Sequence, residues 1–251
     1  MNCMLLRPMA ITGLFLACTC AEAGFVNGGF ENGYLGFATL GAASTESSSI
    51  GVDPTQGHSQ AFLQSGNVMT TATIEEIDTQ FGFLGGQLRS LSTGLPKAGS
   101  GFLQVFSIAE SSILSFDFNF LTSHRPGSED PDFNDFAFVS IGTSIENTGY
   151  FAGVPVGLAD LSSRFVDSSA SSFLGETGYR NYSVVLPEAG TYAFGLGVID
   201  VGDQSGNSGL LIDNIRISPV TVPVPASMVP LGIGLAALGG YTWHRRRRTA
   251  R

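Results

Sequence analysis

The segment Ile113-Leu114-Ser115-Phe116-Asp117-Phe118-Asn119-Phe120 alternates large apolar and small polar residues with a period of two. Only an extended strand puts Leu114, Phe116, Phe118 and Phe120 on one face and leaves Ser115, Asp117 and Asn119 on the other. Similar patterns recur in Phe136–Ile141, Tyr182–Leu186, Tyr192–Val198 and Leu210–Ile217, and Pro187-Glu188-Ala189-Gly190 reads as a tight connection between two of them. Short strands at this spacing predict an all-β, antiparallel β-sandwich. The stretch Glu75–Leu84 is compatible with a short helix or with a strand, and residues 155–176 are expected to include a long surface excursion.

Both ends depart from this pattern. Residues 1–23 begin with a single positive charge at Arg7, continue through an apolar run from Met9 to Cys18, and finish with Ala21-Glu22-Ala23. That is the form of a signal peptide cleaved after Ala23, with Ala21 and Ala23 as the small residues of the site. The run is shorter than the roughly 20 residues a spanning helix needs. At the other end a Pro-rich linker (219–227) leads into an apolar helix (228–244) and then a tail (245–251) with Arg245, Arg246, Arg247 and Arg248. From Ala226 to Trp243 there are 18 residues without a charge, long enough to predict a transmembrane helix. The arginines act as its stop and are expected on the cytoplasmic side, leaving residues 24–218 outside.

Removing the ends changes the chemistry available. All three cysteines (Cys3, Cys18, Cys20) fall in the signal segment, so residues 24–218 can form no disulfide and offer no thiol. Six of the 12 Lys and Arg lie in the ends, whereas 20 of the 21 acids lie between them, which leaves this domain near −14. Such a surface disfavours nucleic acid and anionic lipid and suits divalent cations or plain solvation. Catalytic patterns are missing: there is no G-x-S-x-G, no H-E-x-x-H and no cysteine nucleophile, and the domain's two histidines, His58 and His124, are far apart in sequence. The one tryptophan, Trp243, is in the tail helix, and Tyr179 and Tyr182 either flank a surface or alternate into the core. Two acidic stretches, Glu129–Asp135 and Asp200–Asn207, read as solvated loops or as cation sites, with Asp135, Asp200 and Asp203 as possible ligands. The first lacks the glycine and terminal Glu of an EF-hand loop.

Two resemblances add to this. The order of Val222-Pro223-Val224-Pro225-Ala226, one hydrophobic helix and a terminal Arg cluster resembles the PEP-CTERM sorting signal in its VPxPA (VPLPA-CTERM) variant; the main form has Glu where Val224 stands. It implies export by the secretory machinery and signal peptidase, a transient inner-membrane anchor, processing by an exosortase-type enzyme, and delivery to the cell surface or extracellular matrix, in association with exopolysaccharide or biofilm. The opening Asn27-Gly28-Gly29-Phe30-Glu31 and the closing Ile212-Asp213-Asn214 resemble jelly-roll domains of the carbohydrate-binding-module type. That resemblance implies a jelly-roll sandwich and a structural calcium held by Glu31 and Asp213, an ion that takes about 6–8 oxygens, carbonyls and waters included. The reading is a non-enzymatic surface or matrix protein. A carbohydrate-binding or adhesion module is the alternative, and a polysaccharide hydrolase a remote one.

Overall fold

The computed structural model describes residues 24–66, 70–124, 131–144, 151–170, 172–202 and 207–220. The signal segment, the sorting motif, the tail helix and its arginines, and Asp203 lie outside the described residues. Contacts divide the chain into two units, Met1–Ser218 and Pro219–Arg251, and the first contains the β domain.

Among the described residues, thirteen strands build two sheets. In chain order they are β1 (Ala38–Leu40), β2 (Ala42–Glu46), β3 (Gln60–Gln64), β4 (Ala72–Thr73), β5 (Pro96–Ile108), β6 (Ser112–Thr122), β7 (Phe136–Ser144), β8 (Phe151–Asp160), β9 (Val166–Asp167), β10 (Gly175–Glu176), β11 (Arg180–Leu186), β12 (Gly190–Val201) and β13 (Ser208–Pro219). One sheet runs β1-β5-β12-β7-β8, with β4 also on β5; the other runs β2-β3-β13-β6-β10-β9, with β11 also on β6. Each pairing with a described register is antiparallel. The architecture is an all-β sandwich. The Pro187–Gly190 connection is tight, as expected, yet it does not close a hairpin: β11 belongs to one sheet and β12 to the other.

Alternation explains the core. Leu114, Phe116, Phe118 and Phe120 of β6 face Phe102 and Phe106 of β5 and Phe194, Leu196 and Val198 of β12. The rings pack mainly edge-on or tilted, as between Phe116 and Phe194 (5.5 Å) and between Phe25 and Phe194 (5.6 Å), the geometry their quadrupoles favour. Each fully buried Phe contributes about 1.5–3 kcal/mol, and in a domain without cysteine this packing replaces covalent bracing.

The sheet containing β7 is covered on its second face too, so Phe136, Ala137, Phe138 and Val139 are all buried in succession. Helix α1 (Ile74–Phe81) lies there, placing Ile77 and Phe81 against Phe136, Phe138, Ile199 and Val201. The Glu75–Leu84 ambiguity is thus resolved as helix, with apolar residues at 74, 77 and 81 on one side. Its start is a capping box: Glu76 N donates to Thr73 Oγ1 (3.3 Å), and Thr73 N donates to Glu76 Oε2 (2.9 Å). It ends at Gly82, whose φ of 67° opens the left-handed turn there. Thr73→Ala should lower stability by about 1 kcal/mol in urea unfolding; an unchanged midpoint would show that tertiary packing alone fixes this helix.

Residues 155–176 include the expected surface excursion, since from Leu161 to Leu174 most described residues are exposed or half-buried, and they also contain regular structure. They begin within β8, which pairs along β7 from Ser144–Phe151 to Phe136–Asp160 around a bulge, and they supply β9, β10 and the buried Ala170 and Phe173. Gly153, Pro155 and Gly157 hide the alternation of β8. Pro155 is tolerated because β8 is an edge strand, where a missing N–H need not break a ladder.

Candidate functional site

The outer face of the second sheet is only partly covered. Phe62, Leu121 and Leu211 pack under Val52, Ala170 and Phe173, while the part built by β11, β6 and β13 stays open. Alternation that turns Phe116 and Phe118 inward turns Ser115 and Asp117 outward. Register places Asn181 opposite Asp117, Ser183 opposite Ser115, and Val185 opposite Ile113. From the other flank, Asn214 Nδ2 donates to Asp117 Oδ2 (2.8 Å) and Arg216 Nε to Ser115 Oγ (3.1 Å). Asn181 Nδ2 completes the first row by donating to Asp117 Oδ1 (2.8 Å). The platform is three strands wide, about 10 Å at ordinary strand spacing. Asn181, Ser183 and Arg216 are exposed, Asp117 and Asn214 half-buried, and the exposed pair Val185 and Ile113 forms an apolar border.

Asn214 makes this geometry possible. Its φ of 56° is left-handed, a conformation that asparagine adopts more readily than most residues. The extra residue shifts the alternation of β13, so Leu210 and Ile212 point inward before it and Ile215 after it. Asp213 and Asn214 both end up serving the outer side.

One wall of the platform is the loop 53–59, held by three carboxylates. Glu31 Oε1 accepts from His58 N (2.7 Å) and Ser59 N (3.0 Å). Asp213 Oδ2 accepts from Gln56 N (2.6 Å), and its Oδ1 from Asn214 N (2.6 Å). Thr55 Oγ1 stands 3.0 Å from Asp117 Oδ2 and 3.2 Å from Asp213 Oδ2, so one hydroxyl proton serves two acids in turn. The amide hydrogen bonds from His58, then Ser59, hold Glu31 below its ordinary pKa. For Asp117 burial pushes upward, but donation from Asn181, Asn214 and Thr55 and the charge of Arg216 outweigh it, and the pKa is lowered. Asp213, fully buried, goes the other way: desolvation raises its pKa against its hydrogen bonds. Burial, then the nearby charges of Asp213, Asp117 and Glu176, also raises the Tyr179 phenol, which contacts Gln60 Oε1.

The residues expected to bind calcium fall in two places. Glu31 and Asp213 both grip the 55–59 loop. Asp135 and Asp200 stand where β7 and β12 meet, beside the Phe136–Ile199 pair, near Ser208 at the start of β13; five residues, about 16 Å of strand, separate Ser208 from Asp213. Neither is the solvated loop acid that the sequence allowed, since each is 1% exposed. Asp135 Oδ1 accepts from Val201 N (2.9 Å) and Oδ2 from Ser208 Oγ (2.7 Å), with His124 Nε2 at 3.9 Å. Among the described residues no group of three or more His, Cys, Asp or Glu is arranged to hold a metal ion. Both carboxylates are oxygen ligands of the kind a hard cation takes, and each already accepts hydrogen bonds from the loop, Glu31 from His58 and Ser59 and Asp213 from Gln56 and Thr55.

Tyr179 and Tyr182 do not flank one surface. Three residues apart on a strand run, they fall on opposite faces: Tyr182 stacks on Phe116 in the core (5.3 Å), and Tyr179 lies over the outer face. Tyr192 is core as well, its hydroxyl donating to Glu188 O (2.8 Å). Asp117, Asn181 and Arg216 were not singled out by sequence; the outward half of the β6 alternation was the signal that pointed to Asp117.

No family model and no curated protein matches the chain. Among solved structures it is similar to the carbohydrate-binding module TmCBM61, solved with beta-1,4-galactotriose (11% identity over 80% of this chain and 100% of that one, TM-score 0.42). It is also similar to a non-crystalline cellulose specific module, CBM28 (13%, 79% and 96%, TM-score 0.41). A third similarity is to the enzymatically active domain of bacteriophage CBA120 tailspike protein 4 (12%, 78% and 21%, TM-score 0.42). Among the described residues no helix is long and apolar enough to cross a membrane, and the stretch 226–243 lies outside them.

Proposed function

We propose that this is an exported, non-enzymatic surface protein whose β-sandwich binds polysaccharide through the β11–β6–β13 platform. The observation that carries the reading is the fixed array on this face: the Asp117 carboxylate bridging the Asn181 and Asn214 amides, with the exposed Arg216 and Ser183 in the next row and Arg216 anchored on the buried Ser115. Sugar hydroxyls both donate and accept, and they are best met by acceptors and donors already locked in place, which lowers the ordering cost of binding. The Val185–Ile113 border offers apolar surface to the C–H side of a ring. The test is retention of the purified chain on immobilised polysaccharides: Asn181→Ala and Arg216→Ala should each weaken it about tenfold, as loss of a hydrogen bond to a charged group does. Retention equal to wild type in both variants would remove the platform from the function.

The C-terminal motif Val222–Ala226 supports sorting by an exosortase-type enzyme, with a transient anchor in the inner membrane and final placement at the surface or in the exopolysaccharide matrix. Mass spectrometry of the mature protein checks this; a C-terminus still carrying Arg245–Arg248 would argue against processing. A structural calcium held by Glu31 and Asp213 belongs to the same reading. It would raise the thermal midpoint relative to chelator, by an amount that grows with calcium concentration, and Glu31→Gln would abolish the difference. An identical midpoint in calcium and chelator would refute it.

A further inference from the structure

We infer that the platform selects uncharged polysaccharides and rejects polymers of uronic acids or sulfated sugars; this rests on the platform being the glycan site. The platform's fixed charges decide the class of ligand. At its centre Asp117 has three donors directed at it, from Asn181, Asn214 and Thr55. Two further acids lie close by, Asp213 across Thr55 and Glu176 beside Tyr179. Glu176 is itself occupied by Asn119 Nδ2 (3.2 Å). The cation in the array is Arg216, which sits one row from Asp117 and faces it electrostatically. Its Nε is already committed to Ser115 Oγ.

A hydroxyl can approach this arrangement from either side, donating to Asp117 and accepting from Arg216 or from an asparagine amide. A carboxylate or sulfate is acceptor-only. It could use Arg216, but it would then lie against Asp117 with Asp213 and Glu176 behind, within the roughly 8 Å over which charges are felt at physiological salt. The surrounding domain, near −14 between residues 24 and 218, repels polyanions before contact as well. Alternating donors and acceptors therefore match vicinal hydroxyls and penalise added anions. Because no net charge is neutralised when a neutral sugar binds, affinity should depend little on salt.

The experiment uses uronic-acid oligosaccharides, from alginate and from galacturonan, each beside its carboxyl-reduced derivative, in which the same backbone carries a primary alcohol. The full chain is titrated with all four and with a panel of neutral oligosaccharides, at 50 and 500 mM NaCl. The expected result is binding of neutral or reduced oligosaccharides, at least tenfold tighter than the matching uronates and changing less than twofold with salt. Asp117→Asn should weaken the neutral ligand, with an unchanged circular dichroism spectrum showing that the fold is intact. Uronates that bind as tightly as their reduced forms, or more tightly with affinity lost in salt, would overturn the selectivity and make Arg216 the reader of an acidic sugar. Absence of binding to every oligosaccharide, neutral and acidic, would overturn the platform reading itself.

Discussion

Gly195→Val should cost about 3 kcal/mol and expel Phe81 from the face of the first sheet. A Cβ at Gly195 would stand 2.4 Å from Phe81 Cε1 and 2.9 Å from Phe102 O, and one at Gly101 would stand 2.8 Å from Phe81 Cζ. The ring of Phe81, 1% exposed, thus lies directly on two adjacent glycine backbones. The ring could move off, but only by giving up its contacts with Phe138 (5.3 Å between centroids) and Phe83 (5.4 Å). Overpacking of this kind typically costs 1–3 kcal/mol, and the loss of a buried Phe about 3–5 kcal/mol. Against the 5–15 kcal/mol of a typical domain, and with all three cysteines in the first 23 residues, nothing covalent limits the damage. Phe81→Ala should cost a comparable amount. The two changes share one contact, so in urea unfolding the double variant should be less destabilised than the two single effects together. Strict additivity would show that Gly195 is needed for something other than the ring.

Asp117→Asn should weaken polysaccharide retention about 10- to 100-fold, the scale of hydrogen bonds to a charged group, while preserving size and shape. The new amide would turn an NH2 toward the donors of Asn181 or Asn214, so the array would lose its common acceptor as well as its charge. The same substitution should change the response to acid. Glu31 and Asp117 have folded pKa values below their ordinary 4.5 and 3.8. Groups shifted downward stabilise the fold fully above the ordinary values, and this contribution is lost as the pH falls through the lower folded ones. Asp213, raised from 3.8, has the opposite sign: its charged form is disfavoured by folding, and taking up a proton on the way down relieves that cost. Thermal midpoints followed from pH 7 to about pH 2.5 should therefore fall mainly below about pH 4, with a shallower acid limb in Asp117→Asn. Identical acid limbs would mean that the Asp117 hydrogen bonds contribute no net stability.

Several elements were legible in the chain because their cause is local. β6 and β11 announce themselves by period two, and the positions of their inward residues follow directly; β7 and β12 read as strands too, but both of their faces are buried, and β13 shifts its alternation at Asn214. β5, the longest strand, does not announce itself: Gly99 and Gly101 interrupt its pattern, and their reason, the approach of Phe81 and the backbone of β12, is invisible in sequence. β8 is hidden by Gly153, Pro155 and Gly157 in the same way. Asp135 and Asp200 look like loop acids, yet they lie buried because the ends of β7 and β12 pair directly beside them. The platform was hidden for a related reason. Asn181 and Asn214 stand 64 and 97 residues from Asp117, and only strand order brings three separate polar positions into one row.

Residue order alone makes the middle of this chain a cysteine-free, acidic β domain in which Phe116 and Phe118 face one way and Asp117 the other. Side-chain direction on a strand is a property of the backbone alone, so alternation suffices to fix it. Which strands are neighbours, and therefore that Asp117 sits between two asparagines under the Thr55 loop, depends on packing between segments far apart in the chain. Register is chosen by the packing of all the inward faces at once, and by the left-handed residue at Asn214 that turns β13 toward the site.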